Sequence, residues 1–297
     1  MSIINGAQTV ASTAGFVADN PDHDISDAKV MITLITADAD GEFGKSVTRA
    51  RNHQNPVQLG NFAALDDEQE RLRRELAMLD IEYVFKAGAT PQGYDPKRIL
   101  LAEAVQALAV LEPDPRYAVW LKKQPSVFID TASEPYQQIF GQSLSAYRLA
   151  NAVTVYRYIR SQVQAQVRSS SSYEKAAYKH GEYAIAFVFA KMLRDSIEGH
   201  SLIELAKLRT AAGSAFDLAR QAHWDVMSGV NWPGALAVFR NQTHALPVIR
   251  KIMTRHFQLK DDPLRKQLAQ KSSFGQTHQV DLFKYLAAKA PQIANVI

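Results

Sequence analysis

Two clusters of carboxamide side chains are the residues whose types and spacing invite chemistry. The first, Ile3-Ile4-Asn5-Gly6-Ala7-Gln8-Thr9, reads as the end of an apolar strand, a tight polar turn and a helix start. Asn and Gly tolerate positive φ, so Asn5-Gly6 folds the backbone back sharply and presents the turn N–H groups beside the Gln8 amide. Taken alone, this is a two-residue hairpin turn. The second cluster, Ala50-Arg51-Asn52-His53-Gln54-Asn55-Pro56-Val57, places Asn52, Gln54 and Asn55 together and ends on a proline that stops the preceding helix. A carboxamide both donates and accepts, so two such clusters brought together grip each other, a base edge or a phosphate-rich ligand.

Together the two stretches resemble the AIPR family (abortive infection phage resistance). Its members carry an I-V-N-G-x-Q-T turn followed, some tens of residues later, by A-x-N-x-Q-N-x-V. Asn5, Gly6, Gln8 and Thr9 match the first pattern; Ala50, Asn52, Gln54, Asn55 and Val57 match the second. Leu65-Asp66-Asp67-Glu68-Gln69 looks like the family's helix start after the amide motif, and Tyr83-Val84-Phe85-Lys86 continues the agreement. The resemblance implies an anti-phage defence protein that binds nucleic acid or a nucleotide, with Asn5, Gly6, Gln8, Thr9, Asn52, Gln54 and Asn55 as the ligand-binding set. It also implies a long segment ahead of the first turn, whereas Asn5 here follows directly on Met1 to Ile4. The expectation is an unpaired sheet edge near residues 1–5 and 30–35, covered by a second copy of the chain or by a separately encoded defence partner. Two other readings follow: a nuclease or nucleotide hydrolase whose catalytic acids lie on that partner or segment, and a non-catalytic interaction module. The turn is also similar to the D-G-Q-H-R turn of ParB-like proteins, but Asn5 and Thr9 stand where that turn has the Asp and Arg that bind metal or phosphate. This favours binding over catalysis.

Charge supplies the second candidate surface. Residues 133–297 hold 21 Lys+Arg against 11 Asp+Glu, a net of +10, while residues 1–132 hold 13 against 19, a net of −6. The stretch between Glu134 and Glu174 contains no acid but carries Arg148, Arg157, Arg160 and Arg168 among five tyrosines. The stretch between Asp225 and Asp261 likewise carries Arg240, Arg250, Lys251 and Arg255 without an acid. Arginine and tyrosine on one helix suit phosphate contact and base stacking, so Arg148, Arg157, Arg160, Arg168, Arg250, Lys251 and Arg255 form the expected nucleic-acid set. The alternative is a tyrosine core beneath a solvated arginine face.

Other chemistry is weakly encoded. Ala39-Asp40-Gly41-Glu42-Phe43-Gly44-Lys45-Ser46 ends like a phosphate-binding loop but has Ala39 in place of the first glycine, and Asp40 and Glu42 repel phosphate. Arg250 to His256 and Arg240 to His244 have the Arg/His spacing of helical HEPN ribonucleases, which any basic helix generates. His180 reads as a buried, hydrogen-bonded core residue. No HExxH or cysteine occurs, no metal site can be assembled from the histidine spacing, and the cofactor is unknown.

The elements that must position these residues follow from periodicity. The expected fold is α+β: a small mixed α/β portion over 1–112 and a predominantly helical, basic domain over 113–297, divided at Glu112-Pro113-Asp114-Pro115. The α/β portion has a helix over 11–17, a central strand over 29–36, a helix over 45–53, an amphipathic helix over 66–79, a strand over 81–85 and a helix from Asp95-Pro96 to Leu111. Helices are expected near 115–123, 134–141, 143–167, 172–196, 200–226, 233–257 and 279–289. No basic signal opens the chain and no apolar run is long enough to span a bilayer, so a cytoplasmic protein is expected.

Overall fold

The computed structural model describes residues 7–21, 25, 66–86, 93–229, 233–272 and 275–297. Helix α1 covers Ala7–Asp19. The expected strand at 29–36, helix at 45–53 and phosphate-loop-like segment at 39–46 lie outside the described residues.

Helix α2 (Asp67–Ala77) starts where its sequence says it must. The Asp66 carboxylate accepts from the Glu68 N–H at 3.0 Å, and Asp67, Glu68 and Glu70 sit at the positive end of the helix dipole. Leu72 and Leu76 are its buried stripe. Of the ion pairs that helical spacing predicts, Glu70 to Arg74 forms at 3.2 Å, but Arg71 turns to Glu68 and Glu75 instead of Asp67.

Strand β1 (Glu82–Val84) pairs in parallel with β2 (Arg98–Leu100), Tyr83 opposite Ile99. Helix α3 (Leu101–Leu111) follows β2 directly. The helix expected from Asp95 therefore begins six residues late. Residues 98–100 are held extended by the ladder, by burial of Ile99, and by Arg157, which donates to the carbonyls of Pro96 and Arg98. Local propensity loses here to tertiary contacts.

The rest is helical: α4 (Arg116–Lys123), α5 (Glu134–Ile139), α6 (Ala146–Ser169), α7 (Ser172–Ala190), α8 (Arg194–Ile197), α9 (Leu205–Ser228), α10 (Ala235–Arg240), α11 (Gln242–His256), α12 (Pro263–Lys271) and α13 (Gln276–Ala288). Three departures from the periodic reading have local causes. The long helix expected over 233–257 breaks at Asn241, whose side chain accepts from the Thr243 N–H at 2.9 Å and so caps α11. The helix expected to 196 ends at Ala190, followed by a tight turn over Lys191–Leu193. Helix α12 was unexpected, although Asp262 caps it and Pro263 occupies its first turn.

Helix α7 is central, packed by α3, α4, α6, α9, α10 and α11. Its second half, Ala184 to Ala190, is buried on every side, as an all-apolar helical run requires. One continuous core extends from Leu72 to Val296 and includes residues on both sides of Glu112-Pro113-Asp114-Pro115, such as Val110 and Tyr117. The fold is thus α+β, a two-stranded parallel sheet in a predominantly helical body, and one core joins its described parts from Leu72 onward.

A buried lysine ties α7 to α3. Lys191 Nζ donates to the carbonyls of Val110, Leu111 and Glu112, with the Phe187 ring 4.3 Å away. Burial pushes its pKa down to about 7, opposed first by the Glu112 carboxylate. Three carbonyls at the negative end of the α3 dipole match the three protons of an ammonium group and hold the charge in place. Among the described residues no helix is long and apolar enough to cross a membrane.

Candidate functional site

Of the amide motifs, Asn5, Gly6, Asn52, Gln54 and Asn55 lie outside the described residues, as do residues 1–5 and 30–35. Gln8 and Thr9 fall in the first turn of α1. What the structure does show is how the chain is anchored just after the second motif. Asp66 accepts from the Tyr136 hydroxyl, which accepts in turn from Gln69 Nε2 at 2.9 Å; Tyr83 donates to Gln69 Oε1 at 2.5 Å. Gln69 is fully buried, and both polar atoms of its carboxamide have partners.

The basic set is distributed on two helices. Arg148, Arg157, Arg160 and Arg168 lie on α6, and Arg250, Lys251 and Arg255 on α11. The acids missing from their own stretches arrive from elsewhere in the fold. Arg157 makes a two-pronged pair with Glu103 at 2.7 and 3.1 Å, in addition to its two backbone carbonyls. Arg148 lies 3.0 Å from Glu198, Arg160 3.8 Å from Glu182, and Arg255 2.5 Å from Asp225. Arg250 is half-buried, and its pKa is lowered by burial and then by Arg265. Lys251 is exposed on α11. Arg168 is exposed near the end of α6 and has no ion pair among the described residues.

The interleaved tyrosines are mostly interior. Tyr136, Tyr156 and Tyr158 are buried in the core and cannot stack a base. Their hydroxyls have pKa values raised above the ordinary phenol value, by desolvation first. His256 of the Arg/His pair on α11 is half-buried, its Nε2 3.0 Å from Met192 Sδ.

His180 is not the core histidine that its sequence context suggests. It is half-exposed, and its Nδ1 is buried without a hydrogen-bond partner. The core histidine is His223, fully buried, with Nε2 3.1 Å from the Ala177 carbonyl. The small side chain in His180-Gly181 explains the exchange. Gly181 leaves room on α7 for the His223 ring of α9, and the neighbouring position turns outward.

Around His180 the fold gathers cations that sequence distance concealed. Lys122 lies in the last turn of α4, Lys179 precedes His180 on α7, and Arg240 ends α10. None of the three has an ion-pair partner among the described residues; Lys122 lies 5.9 Å from the Tyr183 ring. The acid acting on Lys122 is Glu182, itself held by the Tyr156 hydroxyl at 2.9 Å and by Arg160. Burial lowers the His180 pKa first, and Lys122, Lys179 and Arg240 push it further down. His180 lines both a narrow slot of about 10 Å³, bordered by Lys122, Tyr183 and Phe239, and an open cavity of about 480 Å³. The cavity is lined by the apolar Ala176, Pro233, Leu236 and Ala237 and by Arg240. Among the described residues no three His, Asp or Glu side chains form a cluster able to hold a metal ion.

The described residues thus form a helical body with a small parallel sheet and, around His180, three cations without ion-pair partners among the described residues. The chain belongs to the AIPR protein family, whose family model matches residues 1–229. Membership links it to abortive-infection phage resistance, from which the family takes its name. No curated protein and no solved structure matches it.

Proposed function

We propose that this AIPR-family chain serves anti-phage defence by binding nucleic acid or a nucleotide through its basic helical half. One observation carries the reading. Lys122, Lys175, Lys179 and Arg240, drawn from three packed helices, lie without ion-pair partners among the described residues, while most arginines flagged by sequence are neutralised internally. Lys175 and Lys179 share one face of α7, one turn apart. Cations that the fold leaves unpaired are those available to phosphates.

Gel-shift titration of a duplex and a single strand at rising salt tests this. Each neutralised phosphate contributes a slope of about −0.9 in log affinity against log salt on duplex. Reversing Lys175 and Lys179 to Glu should flatten that slope without changing the melting temperature. Arg157→Glu, by contrast, should unfold the protein, because Arg157 holds β2 and α3. If neither nucleic acid is retained at low salt, or the Lys175 and Lys179 variants bind as the native chain does, the reading fails.

A further inference from the structure

We infer that the hollow beside His180 is a binding site for a phosphate monoester carried on a nucleoside, with Arg240 and His180 as the groups that line it and Lys179 and Lys122 as neighbouring cations. The inference deepens the nucleic-acid reading and shares its premise that the unpaired cations meet phosphate.

Three features support it independently. The first is electrostatic. Three cations and a histidine converge from α4, α7 and α10; Lys122, Lys179 and Arg240 all act against protonation of His180, and Glu182, already held by Tyr156 and Arg160, offsets this only at Lys122. Packing them together weakens the folded state unless an anion offsets the repulsion. A phosphate monoester carries close to two negative charges at neutral pH, a better match to such a cluster than the single charge of a diester.

The second is an unsatisfied donor or acceptor. His180 Nδ1 is buried with no partner, a state uncommon in folded proteins and one that a turn of the ring toward a bound oxygen would relieve. The narrow slot that the ring also lines, at about 10 Å³, is near the minimum that admits one water and excludes a phosphate. The ligand's place is therefore the open side.

The third is shape. The open cavity measures about 480 Å³, within the range of small-molecule sites. Its floor of Ala176, Leu236 and their neighbours offers an apolar surface on which a nucleobase or sugar can rest, while Arg240 marks the phosphate end. Two sources present this chemistry: a free nucleoside monophosphate and the 5′-phosphate end of a nucleic-acid strand.

Calorimetric titration of the full chain with the four ribonucleoside 5′-monophosphates, with adenosine as the uncharged control, is the test. At least one monophosphate should bind and adenosine should not. Arg240→Gln, at an exposed position that keeps the fold, should weaken binding roughly tenfold, the usual loss for one charge-assisted hydrogen bond. His180→Asn should weaken it as well, and the His180 proton resonance should titrate at higher pH with ligand than without. No binding by any of the four at millimolar concentration, or unchanged affinity in both variants, overturns the proposal. A 5′-phosphorylated oligonucleotide that binds more tightly than its 5′-hydroxyl twin, with the difference lost in Arg240→Gln, assigns the site to strand ends; equal binding of the twins alongside monophosphate binding assigns it to the free nucleotide. Monophosphate binding without any salt-dependent retention of long strands keeps this site and removes the nucleic-acid reading. Salt-dependent retention without monophosphate binding does the reverse.

Discussion

Replacing Gly181 by alanine tests the packing that turns His180 outward. A β-carbon built at Gly181 would lie 2.4 Å from His223 Cε1, 2.6 Å from its Nε2 and 3.1 Å from Phe239 Cε2. The first two distances are closer than carbon atoms tolerate, so something must move. The His223 ring has little freedom to do so. Its Nε2 donates to the Ala177 carbonyl, Phe239 stacks on it at 5.7 Å and 19°, and Tyr178 lies at 5.7 Å on another side. Overpacking of a filled core costs about 1–3 kcal/mol, and displacing the ring puts a further hydrogen bond worth about 1 kcal/mol at risk. Against this, Gly to Ala within a helix gains about 1 kcal/mol of propensity. The net expectation is a loss of about 1–3 kcal/mol, the difference of those figures.

The sign of that change depends on one ring, which makes the prediction sharp. In a His223→Ala background the two closest contacts are gone and the Phe239 ring can give way into the vacated space, so Gly181→Ala should stabilise by up to about 1 kcal/mol through propensity. A double-mutant cycle by urea denaturation, read as shifts in midpoint at constant m, should give a coupling of about 2–4 kcal/mol with a change of sign between backgrounds. A neutral or stabilising Gly181→Ala in the native chain would refute the close approach. Equal effects in both backgrounds would show that the cost lies elsewhere than His223.

Two further predictions concern buried charge. Burial pushes the His223 pKa down to about 4, so the unfolded chain binds its proton more readily than the folded one between pH 4 and 6.5. Stability should therefore rise with pH across that window and fall as the solution is acidified, by on the order of 3 kcal/mol for this group. His223→Gln, which keeps a donor for Ala177, should flatten the profile from denaturation midpoints measured at pH 4.5 to 7.5; an unchanged slope would mean that other groups govern acid sensitivity. Lys191→Met leaves the Val110, Leu111 and Glu112 carbonyls without their donor and should destabilise by about 2–4 kcal/mol, the cost of orphaned buried acceptors less the relief of a buried charge. A variant as stable as the native chain would show that these carbonyls find other donors.

What sequence reveals of this chain follows from the range of the interactions concerned. The stripe of Leu72 and Leu76, the caps at Asp66 and Asp262, and the all-apolar run from Ala184 to Ala190 are recorded within a few turns of one helix. Periodicity reads such features directly. An ion pair has no such local record. The stretch from Glu134 to Glu174 contains no acid, yet Arg157 meets Glu103, which lies 54 positions away, and Arg148 and Arg160 meet Glu198 and Glu182 on other elements. Absence of acid along the chain is thus a poor guide to absence of acid in space, because the fold brings charges together specifically where burial would leave them unpaired. The converse error hid the hollow at His180. Lys122, Lys179 and Arg240 belong to three helices separated by long stretches of sequence, and no local pattern marks them as neighbours. The one signal available was Gly181, a glycine in the middle of a helix whose usual penalty calls for a packing reason. Its reason is the His223 ring, and with α7 thus oriented the next residue back is placed at the cavity wall. A backbone vacancy needed for the core and an imidazole available to solvent are therefore two consequences of the same helix orientation.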